Sequence, residues 1–146
     1  GLYLEQTVSY INNMLSIIDI SITSSMLSNY VKKGYVTHPV RKKYYPEQIS
    51  YIIFIVIVKQ VLSMENISAL FSLQKSTYPL PVAYDFFCSK LEKTLSEIYE
   101  GNSDFATSPV QFPFEKKIIN SVITTTAQII YLNDCFKNRI SDSPIS

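Results

Sequence analysis

The apolar run from Ile52 to Val58 limits the folds open to this chain more than any other feature of its sequence. Six of its seven residues are β-branched, which suits a buried strand, yet Pro46-Glu47-Gln48 just before it is a strong helix start. These flanking residues favour a helix from Ile49 to Leu62 over a strand. A helix that is apolar on nearly every side must be covered, either by the C-terminal half of the chain or by a second subunit.

Composition excludes several classes of protein. With 146 residues, 47% of them hydrophobic, the chain can bury one good core, and its longest apolar run is shorter than the ~18 residues of a membrane span. Three glycines leave no phosphate-binding glycine loop, Cys88 and Cys135 form no CxxC motif, and His38 is the sole histidine. We therefore predict no enzyme activity, no cofactor, no metal site and no membrane partner. No signal peptide is visible at the start, and two cysteines that form no disulfide framework suit a reducing compartment, so we predict a cytoplasmic protein.

Two helices are predicted before the apolar run. Apolar residues recur at three- and four-residue steps from Glu5 to Ile18, which is one face of a helix. Thr23 is a natural N-cap for a second helix, and Gly34 ends that helix because glycine tolerates positive φ. The predicted buried stripe of the second helix is Met26, Leu27, Tyr30 and Val31. Its outer face then carries the polar residues Ser24, Ser25, Ser28, Asn29, Lys32 and Lys33.

Positive charge is concentrated at the end of this helix and after it. The segment from Lys32 to Glu47 contains five Lys or Arg residues and one acid, a net charge of +4, so the remainder of the +1 chain sums to −3. Tyr35 to Tyr45 alternates β-formers with basic residues and predicts a small hairpin or an extended wing with the charge at its tip. Such a patch suits a polyanion, because Lys and Arg displace phosphate counterions, although a solvated basic loop would have the same composition.

The second half of the chain is predicted to be helical. Ser63 to Asn66 caps a short helix from Ile67 to Leu73, Tyr78 to Pro81 breaks the chain, and helices follow over 82–99 and 115–136. We therefore predict two regions, residues 1–76 and residues 77–146. Aromatic side chains of the second region either fill its core or line a pocket for a small-molecule effector. These side chains are Tyr84, Phe86, Phe87, Phe105, Phe112 and Phe114.

The order of these signals resembles the MerR-like winged helix-turn-helix family over about half of the chain. The residues that carry the resemblance are Tyr30 with Gly34-Tyr35-Val36, the basic run Arg41 to Lys43, Tyr45-Pro-Glu-Gln-Ile49, and Leu62-Ser-Met-Glu-Asn-Ile67. The pattern is also similar to an uncharacterised bacterial family of MerR-like proteins recorded as a domain of unknown function. The resemblance implies an all-α protein: a winged helix-turn-helix module with a small β-wing, plus a C-terminal helical extension that dimerises or senses an effector.

The resemblance further implies a sequence-specific transcriptional regulator. It would read duplex DNA with a recognition helix at about residues 23–33 and a basic wing at about residues 37–45. Asn29 suits an adenine edge, and the basic residues suit phosphates. The predicted DNA-binding residues are Ser24, Ser25, Ser28, Asn29, Lys32, Lys33, Arg41, Lys42, Lys43 and Tyr44. The alternative is a protein–protein interaction module on the same fold, without DNA binding or enzymatic activity.

Two departures from the family pattern lead to further predictions. Ser28 and Asn29 occupy the positions of the arginine and tyrosine usual in the recognition helix, which predicts different base contacts. No long heptad helix follows Leu73, which predicts a different dimer geometry. We expect a homodimer that joins the helices over 82–99 and 115–136, because a palindromic operator suits a two-fold dimer. Its predicted anchors are Phe87, Leu91, Val122 and Ile129. The competing account is that these helices cover the apolar run within one chain.

Overall fold

The computed structural model describes residues 1–101 and 113–140, and these are mostly helical. The prediction of an all-α protein is confirmed, with one two-stranded sheet in the described part of the chain. The chain divides into two compact units, Gly1–Ser72 and Leu73–Ser146. The functions assigned to residues 1–76 and 77–146 stay predictions.

The first unit begins with β1 (Leu2–Tyr3) and α1 (Leu4–Leu15), and a 3₁₀ turn (Ser16–Ile18) separates these from α2 (Ser24–Lys32). A second strand, β2 (Lys43–Tyr44), leads into α3 (Pro46–Val58). The two strands pair antiparallel, with Leu2 opposite Tyr44. The predicted wing therefore takes its strand partner from residues 2–3, some forty positions earlier in the chain.

The ambiguous apolar run is a helix, as its flanking residues predict. Pro46 is the first residue of α3, and the Tyr45 N–H donates to Gln48 Oε1 at 2.8 Å, which satisfies one amide at the helix start. The helix ends at Val58 and not at Leu62, because the Val58 carbonyl accepts from the amides of both residues 61 and 62 and closes a turn. Ile52, Ile55 and Val56 are fully buried in the single chain and Phe54 is half-buried, so most of the apolar run is covered without a second subunit.

The next helix, α4 (Met64–Thr77), starts in the first unit and ends in the second. Ser63 Oγ accepts from the Asn66 N–H at 3.1 Å and caps it, as predicted. The helix continues beyond the predicted end at Leu73, because the breaker follows only at Pro79. Phe71 packs on α3, with its ring centroid 4.7 Å from that of Tyr51.

The second unit contains α5 (Leu80–Glu100) and α6 (Phe114–Asp134), which ends in a π-helical turn (Cys135–Ile140). Gly101 ends α5 with φ +76°, a left-handed conformation that glycine adopts without the steric cost of a side chain. The last residue of the helix predicted over 115–136, Phe136, lies in this π-helical turn, where the 3.6-residue period no longer holds, and is 59% exposed.

The two long helices α5 and α6 pack against each other. Phe87, Leu91 and Val122, three of the four predicted dimer anchors, are buried in the single chain, and Ile129 is half-buried. The three buried side chains therefore present almost no surface to a second chain. Within residues 1–101 and 113–140, none of the helices combines the length and apolar character that a membrane span requires.

Candidate nucleic-acid interface

The turn between α1 and α2 is fixed by one side chain. Asn12 Oδ1 accepts from the Ile22 N–H at 2.7 Å, and Asn12 Nδ2 donates to the Ile22 carbonyl at 2.9 Å. Ile22 itself is 2% exposed. The side-chain amide thus replaces a strand partner for an irregular buried backbone segment and sets the direction in which α2 leaves the turn.

Thr23 starts α2 and Gly34 follows its end, both as predicted. Thr23 Oγ1 accepts from the Met26 N–H at 3.1 Å. At the other end, the Tyr35 N–H donates to the Tyr30 carbonyl and the Gly34 N–H to the Val31 carbonyl, both at 3.0 Å, which is a Schellman motif. Gly34 has φ +81°, a conformation that costs other residues, so this glycine allows the chain to turn sharply from α2 into the wing.

The side chains of α2 divide as the sequence predicts. Leu27, Tyr30 and Val31 are buried, and Met26 is half-buried. The exposed side chains form what we call the α2 outer face: Ser25, Ser28, Asn29, Lys32 and Lys33. It carries amide, hydroxyl and ammonium groups, which are the groups that contact base edges and phosphates in DNA-binding helices.

Ser24 differs from its predicted companions. It is half-buried, and its hydroxyl donates to Glu5 Oε1 of α1 at 2.6 Å. The hydroxyl proton is therefore directed to a carboxylate and away from a nucleic-acid phosphate. Glu5 also brings a negative charge to the N-terminus of α2, where it is favoured by the helix dipole and competes with any other anion.

A tight turn carries two cations at the wing tip, which we define as Arg41 and Lys42. The Val40 N–H donates to the Lys43 carbonyl at 2.9 Å, and the Lys43 N–H donates back to the Val40 carbonyl at 3.0 Å. Arg41 has φ +51° and Lys42 has φ +66°. Two consecutive left-handed residues form a type I′ turn, in which Asn-Gly is the preferred pair. Both side chains of the wing tip are exposed, and both backbones are strained.

The next two wing residues have different environments. Lys43 is half-buried, and its Nζ lies 5.2 Å from the ring centroid of Tyr3, which is a cation–π contact. Tyr44 is only 4% exposed, and burial raises the pKa of its phenol. Pairing of β2 with β1 directs this side chain into the core of the first unit, so Tyr44 presents almost no surface to DNA, unlike the other predicted contact residues of the wing.

Gln48 holds the start of the wing, a role that the sequence analysis missed. Its side chain is 7% exposed, and its Nε2 donates to the His38 carbonyl at 2.7 Å and to the Thr37 carbonyl at 3.2 Å. Gln48 Oε1 also accepts from the Tyr45 N–H, so the side-chain amide of Gln48 connects the first turn of α3 to both ends of the segment from Thr37 to Tyr45. The only sequence signal was a Gln at the third helical position, where capping boxes have it.

Beneath α2, a lysine approaches the helix from the interior. Lys59 Nζ lies 3.4 Å from Tyr30 Oη and 3.9 Å from Met26 Sδ. Burial lowers the pKa of the Lys59 ammonium and raises the pKa of the Tyr30 phenol. Lys59 therefore lies beneath α2 and does not belong to the exposed basic surface.

Two further features of the sequence are the lone histidine and the aromatic side chains of the second region. His38 is exposed, and no group of three metal-ligating side chains occurs among residues 1–101 and 113–140. Of the aromatic side chains proposed for an effector pocket, Phe87 is buried, Tyr84 and Phe86 are half-buried and Phe114 is 72% exposed. Phe105 and Phe112 lie outside the described residues. The effector pocket stays a prediction.

Comparison with known proteins identifies one family. A family model with the description "Domain of unknown function (DUF1836)" matches residues 1–87, which include the whole first unit and more than half of the chain. No curated protein and no solved structure matches the chain significantly.

Proposed function

This chain belongs to the family described as Domain of unknown function (DUF1836), and we propose that it is a sequence-specific DNA-binding transcriptional regulator built on a MerR-like winged helix-turn-helix. In this proposal α2 is the recognition helix, the segment from Thr37 to Tyr45 is the wing, and the protein acts in the bacterial cytoplasm. It has no enzymatic role, and the sequence that it recognises is set by the α2 outer face.

The observation that supports this proposal is the separation of charge in the first unit. Residues 20–46 contain five Lys or Arg residues and no acid. Four of the five, Lys32, Lys33, Arg41 and Lys42, are exposed, two at the end of α2 and two at the wing tip. Exposed cations at the end of a polar helix face and at a wing tip suit a duplex, because phosphates border the groove that the helix would enter.

The positions of α2 and the wing are fixed by buried polar contacts, which is the second support. Asn12 fixes the backbone before α2, and Gln48 fixes the backbone of the wing. Preorganised contact groups lose little conformational entropy on binding. A solvated basic loop would need neither of these contacts.

Fluorescence anisotropy with a labelled random-sequence duplex tests the proposal. We expect binding whose affinity falls with salt by several log–log units, since each phosphate contact contributes a slope of about 0.9. Replacing Arg41 and Lys42 with Gln should lower that slope by about two units on all sequences. The matched control replaces the exposed Lys93 and Lys117 of the second unit with Gln, which removes the same charge and should leave the slope unchanged.

Absence of binding at low salt would reject the proposal and favour the protein-interaction alternative. Equal losses in the wing-tip and control variants would show only a dependence on net charge, and would remove the wing from the interface. If the duplex binds as expected, selection of bound fragments from random DNA then identifies the operator and provides the specific ligand for tests of the α2 outer face.

A further inference from the structure

One face of α1 is apolar and exposed, unlike the face that packs on α2. Tyr10 is 49% exposed, Met14 40% and Ile17, in the following 3₁₀ turn, 90%, while Tyr3 just before the helix is 50% exposed. Tyr10 and Met14 are four residues apart and share one side of α1, Ile17 follows three residues later in the 3₁₀ turn, and Tyr3 precedes the helix in β1. We call this surface the α1 stripe, and none of its members belongs to the α2 outer face or the wing tip.

The size of the stripe separates it from ordinary scattered surface hydrophobics. From their exposed fractions the four residues expose roughly 500 Å² together, which is in the range of the largest apolar patch of a typical monomer, a patch that is often functional. If the stripe met a second copy of itself, these residues alone would bury about 1,000 Å², which is the lower limit for a specific interface. The area available is therefore enough for a dimer of modest affinity.

We propose that the α1 stripe is the homodimer interface of this protein, with a second copy of the chain as its occupant. Tyr3 and Tyr10 form one end of the stripe, and Met14 and Ile17 form the other. Under a two-fold axis, an antiparallel pair of stripes places the aromatic end of each chain against the aliphatic end of its partner. Such pairing adds favourable sulfur–aromatic contacts, so the surface is complementary to itself.

The charges near the stripe are compatible with a second copy as its occupant. Glu5 is the only charged residue of α1, and it lies nine residues from Met14, which is about two and a half helical turns and hence the opposite face. Lys43 Nζ lies 5.2 Å from the Tyr3 ring, and the antiparallel pairing keeps the Lys43 side chains of the two copies at opposite ends of the interface, so they do not repel each other. Because Glu5 and Asn12 face α2, a dimer through the stripe leaves the α2 side of α1 free.

This interface replaces the one expected from the sequence, which used the helices over 82–99 and 115–136. Phe87, Leu91 and Val122 are already buried within one chain, whereas the α1 stripe is not. The inference goes beyond the proposed function and does not depend on DNA binding. Its test is made without DNA, so that failure of one proposal leaves the other standing.

Sedimentation equilibrium of the full chain, without DNA, measures the dimer directly. We expect a dimer with a dissociation constant in the micromolar range, as suits about 1,000 Å² of buried surface. Ile17→Glu should weaken it by roughly tenfold or more, because two carboxylates would enter the apolar contact. Ile17 is 90% exposed, so this change does not endanger the fold. Met14→Glu should have the same effect, and Ser9→Glu, at an exposed position on another side of α1, is the matched control.

A dissociation constant that is the same in the wild type and the Ser9→Glu variant, and raised tenfold or more in the two stripe variants, would support the proposal. A wild-type monomer at about 100 µM would overturn it, since such an interface should form at that concentration. A dimer that survives both stripe substitutions would also overturn it and would place the interface elsewhere. Equal weakening by Ser9→Glu would show a general effect of added charge and would count against the stripe.

Discussion

Lys42→Gly is expected to stabilise the protein and, at the same time, to weaken its binding to DNA. Lys42 has φ +66° at the second position of the type I′ turn, and its side chain is exposed. A non-glycine residue in this left-handed region costs about 1–2 kcal/mol, and glycine avoids that cost. Glycine in turn loses roughly 0.5–1 kcal/mol through the greater freedom of the unfolded chain. The net gain in unfolding free energy is about 0.5–1 kcal/mol.

Lys33→Gly is the control that isolates the backbone conformation. Lys33 is also an exposed lysine, but its φ is −82°, in the right-handed region. Glycine there relieves nothing and should lower stability by about 0.5–1 kcal/mol. Both variants lose one positive charge, so charge cannot explain opposite signs. Urea unfolding followed by circular dichroism at one pH measures both, and the melting temperatures should move by about 2–4 °C in opposite directions.

The same two variants should behave alike on DNA. If Lys33 and Lys42 each contact a phosphate, each loss reduces the salt slope of binding by about 0.9. Opposite effects on stability with equal effects on binding would mean that the wing tip retains backbone strain in order to present two adjacent cations. Loss of stability in both variants would refute the reasoning, because it would show that the left-handed turn costs the protein nothing. Unchanged DNA binding of Lys42→Gly would remove Lys42 from the interface.

Three further outcomes are expected. Gln48→Glu keeps the acceptor for the start of α3 but loses the donor to the wing carbonyls, so the free energy of unfolding in urea should fall by about 1–3 kcal/mol. Gln6→Glu is the control: Gln6 Oε1 only accepts, from the Tyr3 N–H, and a carboxylate keeps that acceptor, so stability should hardly change. Asn29→Ala should relax discrimination at one base position by about 1–3 kcal/mol, measured by competition with single-base variants of the selected site, while non-specific binding is retained. Equal losses of affinity for the selected site and for random DNA would assign Asn29 to the DNA backbone. Burial lowers the pKa of the Lys59 ammonium, so the charged form of Lys59 opposes folding at pH values below that lowered pKa. Lys59→Met should therefore raise the free energy of unfolding at pH 7, and this gain should fade as the pH rises through the lowered pKa. A gain that is the same at pH 7 and at high pH would contradict this.

The sequence by itself determined the local events of the first unit. Thr23 and Gly34 were predicted as the cap of α2 and the residue that follows its end, and Pro46 selected a helix for a run of β-branched residues. Each of these depends on hydrogen bonds or steric limits within about four residues, which is the range that a sequence pattern reports. The outward position of Asn29 follows from the same short period.

Only the tertiary structure decided which of the predicted contact residues are accessible. Tyr44 is buried because β2 pairs with a strand some forty residues earlier, and Ser24 donates to Glu5 across nineteen positions. The role of Gln48 depends on carbonyls ten and eleven residues before it. Composition does not encode such distant partners, because their position is set by how the helices pack. The same packing leaves the stripe around Met14 exposed.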